Sequence, residues 1–227
     1  VTISDDELPS LAFDFCEFYS VPRVAPYARQ MALRCQSLDR LTGDDFMLPE
    51  GRHRAFQALY AGILFSMLSP PCTRFTQMNN MNTHPVDPAA LAREHAEARQ
   101  LLEFAVHIAR YQLRHGRYFA LEHPSRATSW HEPCMLDLQS HPDVDVISFD
   151  QCRLGLRCPF TNVPIQKKTK LMTNCPEVRR AFRGLICNCQ VQHQQIIGVV
   201  HQVRLAQWAA RYPPQFCIQL ASAVRRL

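Results

Sequence analysis

The chain has 227 residues, 47% of them hydrophobic, with 16 Pro, 7 Gly and 10 Cys, enough apolar content for one sizeable core at a length ordinary for an α/β domain. The formal charge of +5 conceals a split: residues 1–150 carry 13 Arg and no Lys against 19 acids, a net of −6, whereas 151–227 carry 12 Lys and Arg against the single Glu177, a net of +11. No apolar run approaches the roughly 18 residues of a membrane span, the start "VTISDDELPS" has neither the basic stretch nor the apolar block of a signal peptide, and the scattered cysteines are not those of a small disulfide scaffold. The expectation is a soluble, intracellular chain, its non-Met start that of an excised segment, with most cysteines reduced and acting as small hydrophobes.

In chain order, "LAFDFCEFY" (11–19) alternates as a strand does, "PRVAPYARQMAL" (22–33) has helical spacing after an early proline, and "CQSLD" (35–39) is a short strand ending in an acid. A helix around 51–61 precedes the apolar strand "ILFSML" (63–68), and a long helix runs from about Pro88 to His115. The strands "RYFALE" (117–122) and "VDVISF" (144–149) follow, then a hairpin around "TKLMT" (169–173) and two amphipathic stretches, 194–211 and 214–226, read as helices. Strands alternating with helices predict a doubly wound, mostly parallel sheet with helices on both faces. The spacing from Asp39 to Asp44 is too short for a helix and strand, so the sheet is expected to lack one unit. Residues 1–174 are read as the catalytic domain and 175–227 as a basic helical extension packed on it.

Ligands of such sheets bind beyond the carboxyl ends of the strands, so the residues there are the site candidates. Asp39 stands where a carboxylate can accept from a ribose diol, and Asp44 or Asp45 could accept from a purine amine. No G-x-G-x-x-G opens the first turn, which leaves surface carboxylates as an equal reading of these acids. After the third strand, "SPPC" stops the sheet with two prolines and sets Cys72 over its edge. After the fourth, "EHP" places Glu122 at the equivalent point. A thiol nucleophile beside a carboxyl that can protonate a ring nitrogen is a pair with a chemical purpose; the bland alternative is a free structural cysteine in a proline turn.

The series "SLD", "GDDF", "SPPCTRFTQ", "FALEHP", "DQCRLG" and "KKTKLMTN" resembles the DNA cytosine-5 methyltransferases, most nearly the compact phage-type cytosine methylases, over about residues 11 to 174. The resemblance implies a Rossmann-like methyltransferase fold, S-adenosylmethionine as cofactor, Cys72 as covalent nucleophile at C6 of cytosine, and Glu122 on N3 and the exocyclic amine. It also implies a cofactor site of Asp39 at the ribose, Asp44 or Asp45 at the adenine, and Glu17, Ser20, Ser69 and Pro70 about the methionine end. Departures are "CEFYSVPR" in place of a glycine loop, His123 in place of Asn, and Thr76 in place of Ser. They keep alive a second reading, a catalytically degenerate fold serving as a nucleic-acid-binding or assembly module. An amino-group methyltransferase of the S-P-P-[YW] kind ranks third, because cysteine cannot stack on a base.

The cationic final third points to a polyanion, with DNA preferred over RNA and no membrane as partner. Lys167, Lys168, Lys170, Arg153, Arg179 and Arg180 are the candidate phosphate contacts. Cys175, Cys187, Cys189 and His193 could complete a zinc tetrahedron, yet C-x-C with a distant fourth ligand is no standard finger spacing, and no metal is expected.

Overall fold

The structure, a computed structural model, describes residues 11–76 and 87–227; residues 1–10 and 77–86, the latter holding the last residue of "SPPCTRFTQ", lie outside it. Strands β1 (Phe13–Phe18), β2 (Cys35–Leu38), β3 (Ile63–Leu68), β4 (Tyr118–Pro124), β5 (Asp145–Asp150) and β6 (Lys168–Thr173) form one sheet in the order β2-β1-β3-β4-β6-β5. β2, β1, β3 and β4 pair in parallel, and β6 lies antiparallel between β4 and β5. This is the expected Rossmann-like α/β class. Its edge beyond β2 agrees with the short Asp39–Asp44 spacing, since Asp39 begins a 3-10 turn (Arg40–Thr42) rather than another strand unit.

Strand alternation sorts the apolar side chains onto two faces. Helices α2 (Pro49–Ala61), α3 (Pro88–Arg114) and α4 (Pro133–Gln139) cover one face, against Phe18, Leu68, Phe119 and Leu121. Helix α3 turns Ala98, Leu102, Ala105, Ala109 and Gln112 inward at three- and four-residue spacing, and Asp87 caps its start through the N–H groups of Ala89 and Ala90. The other face is closed by α1 (Ala25–Gln30), α5 (Pro176–Phe182) and α7 (Pro214–Val224), against Phe15, Phe65, Phe149 and Leu171. Phe216 and Leu220 of α7 are fully buried there. The last helix thus completes the core, and a division after residue 174 would expose one face of the sheet.

Three sequence expectations are corrected. The helix of 22–33 shrinks to six residues, because Pro26 allows only a start there and Ala32 turns to φ 62°. "TKLMT" forms no tight hairpin of its own: as β6 it pairs antiparallel with the preceding strand β5 across the long connection 151–167, and on its other side with β4. The stretch 194–211 is not one helix but a small hairpin, β7 (Val199–Val200) and β8 (Val203–Arg204), followed by the short α6 (Leu205–Ala209). Ile196, Ile197, Val199 and Val200 are β-branched, Gly198 interrupts them, and His201 and Gln202 at φ 45° and 65° make the primed type of turn that hairpins favour.

Candidate functional site

Phe18, Leu38, Leu68 and Leu121 are register partners across four adjacent strands. One residue further on stand Tyr19, Asp39, Ser69 and Glu122, so these four share one row along the carboxyl edge. At about 4.8 Å per strand the row spans roughly 14 Å from Asp39 to Glu122, a length suited to a ligand laid across the strand ends.

On the β3–β4 half, the two-proline turn is cross-braced to β4. The His123 ring is fully buried, with Nδ1 at 2.6 Å from Ser129 Oγ and Nε2 at 2.9 Å from the carbonyl oxygen of Pro70. A carbonyl only accepts, so Nε2 carries the proton and Nδ1 accepts from the Ser129 hydroxyl. Burial pushes the His123 pKa down to about 4, which keeps the ring in this neutral form. The unexpected histidine therefore still donates to the backbone that carries Cys72.

Glu122 faces the opposite side of β4 and is 7% exposed. Its Oε2 accepts from the Tyr212 hydroxyl at 3.2 Å, and Tyr212 lies 2.7 Å from Ser69 Oγ. Its Oε1 is buried with no partner among the described residues. Burial raises the Glu122 carboxyl above its usual range, opposed by the positive charge of Lys167 and by the Tyr212 bond. The half-buried Cys72 thiol is pushed up to about 11, by burial first and then by the negative charge of Glu122, with Lys167 acting the other way. Thiol, carboxyl and Lys167 are thus electrostatic neighbours at this end of the edge.

On the β1–β2 half, polar groups answer one another. The fully buried Glu17 accepts from the N–H groups of Arg23 (2.9 Å), Val24 (3.1 Å) and Ala25 (3.1 Å) and from the Ser37 hydroxyl (2.9 Å). It is a buried cap for α1, and it takes the donors that a glycine loop would turn to a ligand. Burial raises its carboxyl, against the lowering by these four bonds. Tyr19, at φ 63°, packs edge-on against Phe46 with ring centres 4.7 Å apart and donates its hydroxyl to the Leu101 carbonyl. Ser20 bonds to the carbonyl of Val21, the next residue. Asp39 is half-buried and accepts from Leu41 N–H, and Asp45 likewise from Met47 N–H. Asp44 is buried and held by Arg54 and Thr42.

Against S-adenosylmethionine this edge fits in part. Asp39 and Asp45 are carboxylates near the surface that can serve a ribose and a purine amine, whereas Asp44 is consumed by Arg54. In the first turn the N–H groups of Arg23, Val24 and Ala25 are taken by Glu17, which leaves fewer backbone donors for the methionine end.

The predicted phosphate contacts separate. Lys168 pairs with Asp150 at the carboxyl edge, and Arg153 follows in the next turn, its guanidinium on Asn188. Lys170 lies over the Trp130 ring at 5.4 Å. Lys167 donates to the Ala209 carbonyl at 2.9 Å and belongs with Cys72 and Glu122. Arg179 is bound to Asp145, the first residue of β5, and Arg180 to Glu177. Helix α5 starts where antiparallel β6 ends, at the amino edge of the parallel strands, so Arg179 and Arg180 are not brought to the cleft. The reason is the direction of β6, which local sequence pattern does not reveal.

Cys175 also lies at that far edge, fully buried at the start of α5. The set considered with Cys187, Cys189 and His193 is therefore not assembled; Cys152, from "DQC", stands in its place. All ten cysteines are free. Sequence reasoning also missed Tyr212, although its setting, next to the pair Pro213–Pro214, mirrors that of Cys72 after Pro70–Pro71.

No family model and no curated protein matches the chain. Among solved structures it is similar to the crystal structure of the S. pombe Dnmt2 methyltransferase, at 10% identity and a TM-score of 0.32, over 70% of this chain and 48% of that one. The chain spans about half the length of that protein, and a likeness of this size says nothing of what the chain does. No helix among the described residues is long and apolar enough to cross a membrane.

Proposed function

We propose that the chain is a methyltransferase acting at C5 of cytosine in nucleic acid, with DNA the favoured substrate and S-adenosylmethionine the methyl donor. The observation that carries the reading is the buried Glu122 oxygen without a partner, beside a thiol at the same strand ends. A buried acceptor left unsatisfied costs about 1–3 kcal/mol, a cost that a bound base edge would remove.

S-adenosylmethionine, when bound, supplies the electrophilic methyl group, with Asp39 and Asp45 as the residues to hold its nucleoside. The work of the chain is at the base. A carboxyl raised by burial keeps its proton into a higher pH range, so Glu122 can give that proton to N3, which makes C6 electrophilic. Cys72 Sγ then bonds to C6 and its own proton passes to solvent as the bond forms, since the resting group is a thiol. Lys167 stabilises both the developing thiolate and the carboxylate left behind. Once C5 has been alkylated and has given its proton to solvent, the C6–S bond breaks with its electron pair going to sulfur, N3 returns its proton to Glu122, and Cys72 is regenerated. Access to C5 in a duplex requires the base to be flipped out, and Lys168 at the start of β6 and Arg153 just after β5, on the same edge, are the cations that would meet flanking phosphates.

The capture of three first-turn N–H groups by Glu17 favours a second reading, a fold that retains nucleic-acid binding without methyl transfer. Methyl transfer from labelled cofactor to mixed DNA and RNA separates the two. Incorporation that depends on both Cys72 and Glu122 supports the enzyme, whereas salt-sensitive binding with no incorporation supports the module.

A further inference from the structure

Cys152, Cys187, Cys189 and His193 bring three thiols and an imidazole together, with one ligand atom from each lying within 4.8 Å of all the others. Cys152 sits in the turn Gln151–Leu154 after β5. The other three sit on 183–198, a stretch between α5 and β7 without helix or strand. So long an irregular segment is uncommon in a compact domain unless something holds it. Its flanks are pinned: Asp150 N–H donates to the Leu185 carbonyl at 2.9 Å, Cys187 N–H donates to Asp150 Oδ2 at 2.9 Å, and Gln194 N–H donates to the Pro164 carbonyl at 2.8 Å. Between the pins, Cys187 Sγ lies 3.3 Å from His193 Nε2 and accepts from Cys189 N–H at 3.5 Å.

We propose that this cluster is a structural zinc site. Zinc–sulfur bonds of about 2.3 Å and a zinc–nitrogen bond of about 2.0 Å set tetrahedral ligand atoms about 3.5–3.8 Å apart, so the four groups need to close by only about 1 Å or less. Three thiolates and an imidazole are soft to borderline donors that select zinc over calcium or magnesium. A disulfide between any two thiols would strand the third beside the imidazole; zinc uses all four. Four protein ligands leave no place for water, which marks the site as structural rather than hydrolytic. Its ion ties 183–198 to the end of β5, directly beside Lys167, whose carbonyl accepts from Gln151 N–H at 3.0 Å. The site stands independently of the reaction proposed above.

Metal analysis of protein refolded with zinc and then gel-filtered is expected to give about one zinc per chain, released by a thiol-modifying mercurial. Cobalt(II) in its place is expected to give thiolate charge-transfer bands and the intense visible bands of a tetrahedral ion. Cys187→Ser and Cys189→Ser should lose the metal, and Cys175→Ser and Cys158→Ser should keep it. If the first pair fails to fold, the cobalt spectrum of the unmodified chain decides alone. A weak octahedral spectrum, no stoichiometric binding, iron in preference to zinc, or full zinc content in folded Cys187→Ser and Cys189→Ser would overturn the assignment.

Discussion

Tyr19 and Asp39 share a row of the sheet edge with Ser69 and Glu122, yet the two halves of that row treat their polar groups differently. On the β1–β2 half the edge carboxyl and hydroxyl are answered: Glu17 caps α1 with four bonds and Tyr19 reaches α3 through Leu101, although Gln36 Oε1, further back in β2, is buried without a partner among the described residues. On the β3–β4 half, the bracing by His123 and Tyr212 is complete, but it holds a carboxyl with one oxygen unanswered and a thiol displaced from its ordinary pKa. Groups that are rigidly held and yet unsatisfied are the usual mark of a site awaiting something. The contrast teaches that the Cys72–Glu122 end of this edge is held rigid with polar capacity to spare, while at the other end Asp39 and Asp45 are the carboxylates nearest the surface.

The largest effect should come from Glu122→Gln. On the proposed reading Glu122 is the general acid, and its loss is expected to slow attack on the base by roughly 10²–10⁴-fold, about 3–5 kcal/mol. At the same time, removing a negative charge beside Cys72 should lower the thiol pKa and speed its alkylation by iodoacetamide. Rate loss with faster alkylation sharpens the comparison; rate loss with slower alkylation would mean that the variant had disturbed the pocket.

Next is the bracing histidine. His123 in the unfolded chain takes up a proton near its ordinary pKa of about 6.5, but in the fold only near 4. Its neutral form stabilises the fold fully above about pH 6.5, and that contribution is lost as the pH falls toward 4, roughly 3 kcal/mol over the window. His123→Asn removes the titrating ring, so urea unfolding at pH 7 and pH 5 should show a flatter pH dependence than the unmodified protein.

A smaller change tests the other half. Glu17→Gln turns one acceptor into a donor facing backbone N–H groups, and a stability loss of about 1–3 kcal/mol is expected, read as a lower thermal midpoint without cofactor present. Unchanged stability with weakened cofactor binding would reverse the comparison, making Glu17 a ligand group rather than a cap. The mildest effect is that of Lys167→Met. With its charge gone, the Cys72 thiol should rise further, and alkylation at pH 8, followed by peptide mass spectrometry, should slow a few-fold.

How far these groups could be read from sequence depended on distance along the chain. Strand ends were legible because proline pairs and acids mark them locally, which placed Cys72, Glu122 and Asp39 on the edge and gave the doubly wound class. Strand direction was not: the apolar pattern of 168–173 is the same for either sense, so the fate of Arg179, Arg180 and Cys175 was hidden with it. The partners contributed by distant segments, Tyr212 to Glu122, Lys167 to Cys72 and Cys152 to His193, are brought in by tertiary packing that no local spacing encodes. Glu17 was visible as an acid at a strand end, but its use as an internal cap depends on where α1 begins, and Pro26 shifted that start.

The most direct measurement is covalent trapping on DNA carrying 5-fluorocytosine, with S-adenosylmethionine present, followed by peptide mapping. The C5 fluorine cannot leave as a proton does, so the C6–S bond should persist and a DNA-linked peptide should contain Cys72, with no adduct from Cys72→Ser. An adduct on another residue, or one that survives Cys72→Ser, would contradict the assignment of the nucleophile, and no adduct with a folded, DNA-binding protein would contradict the enzyme reading itself.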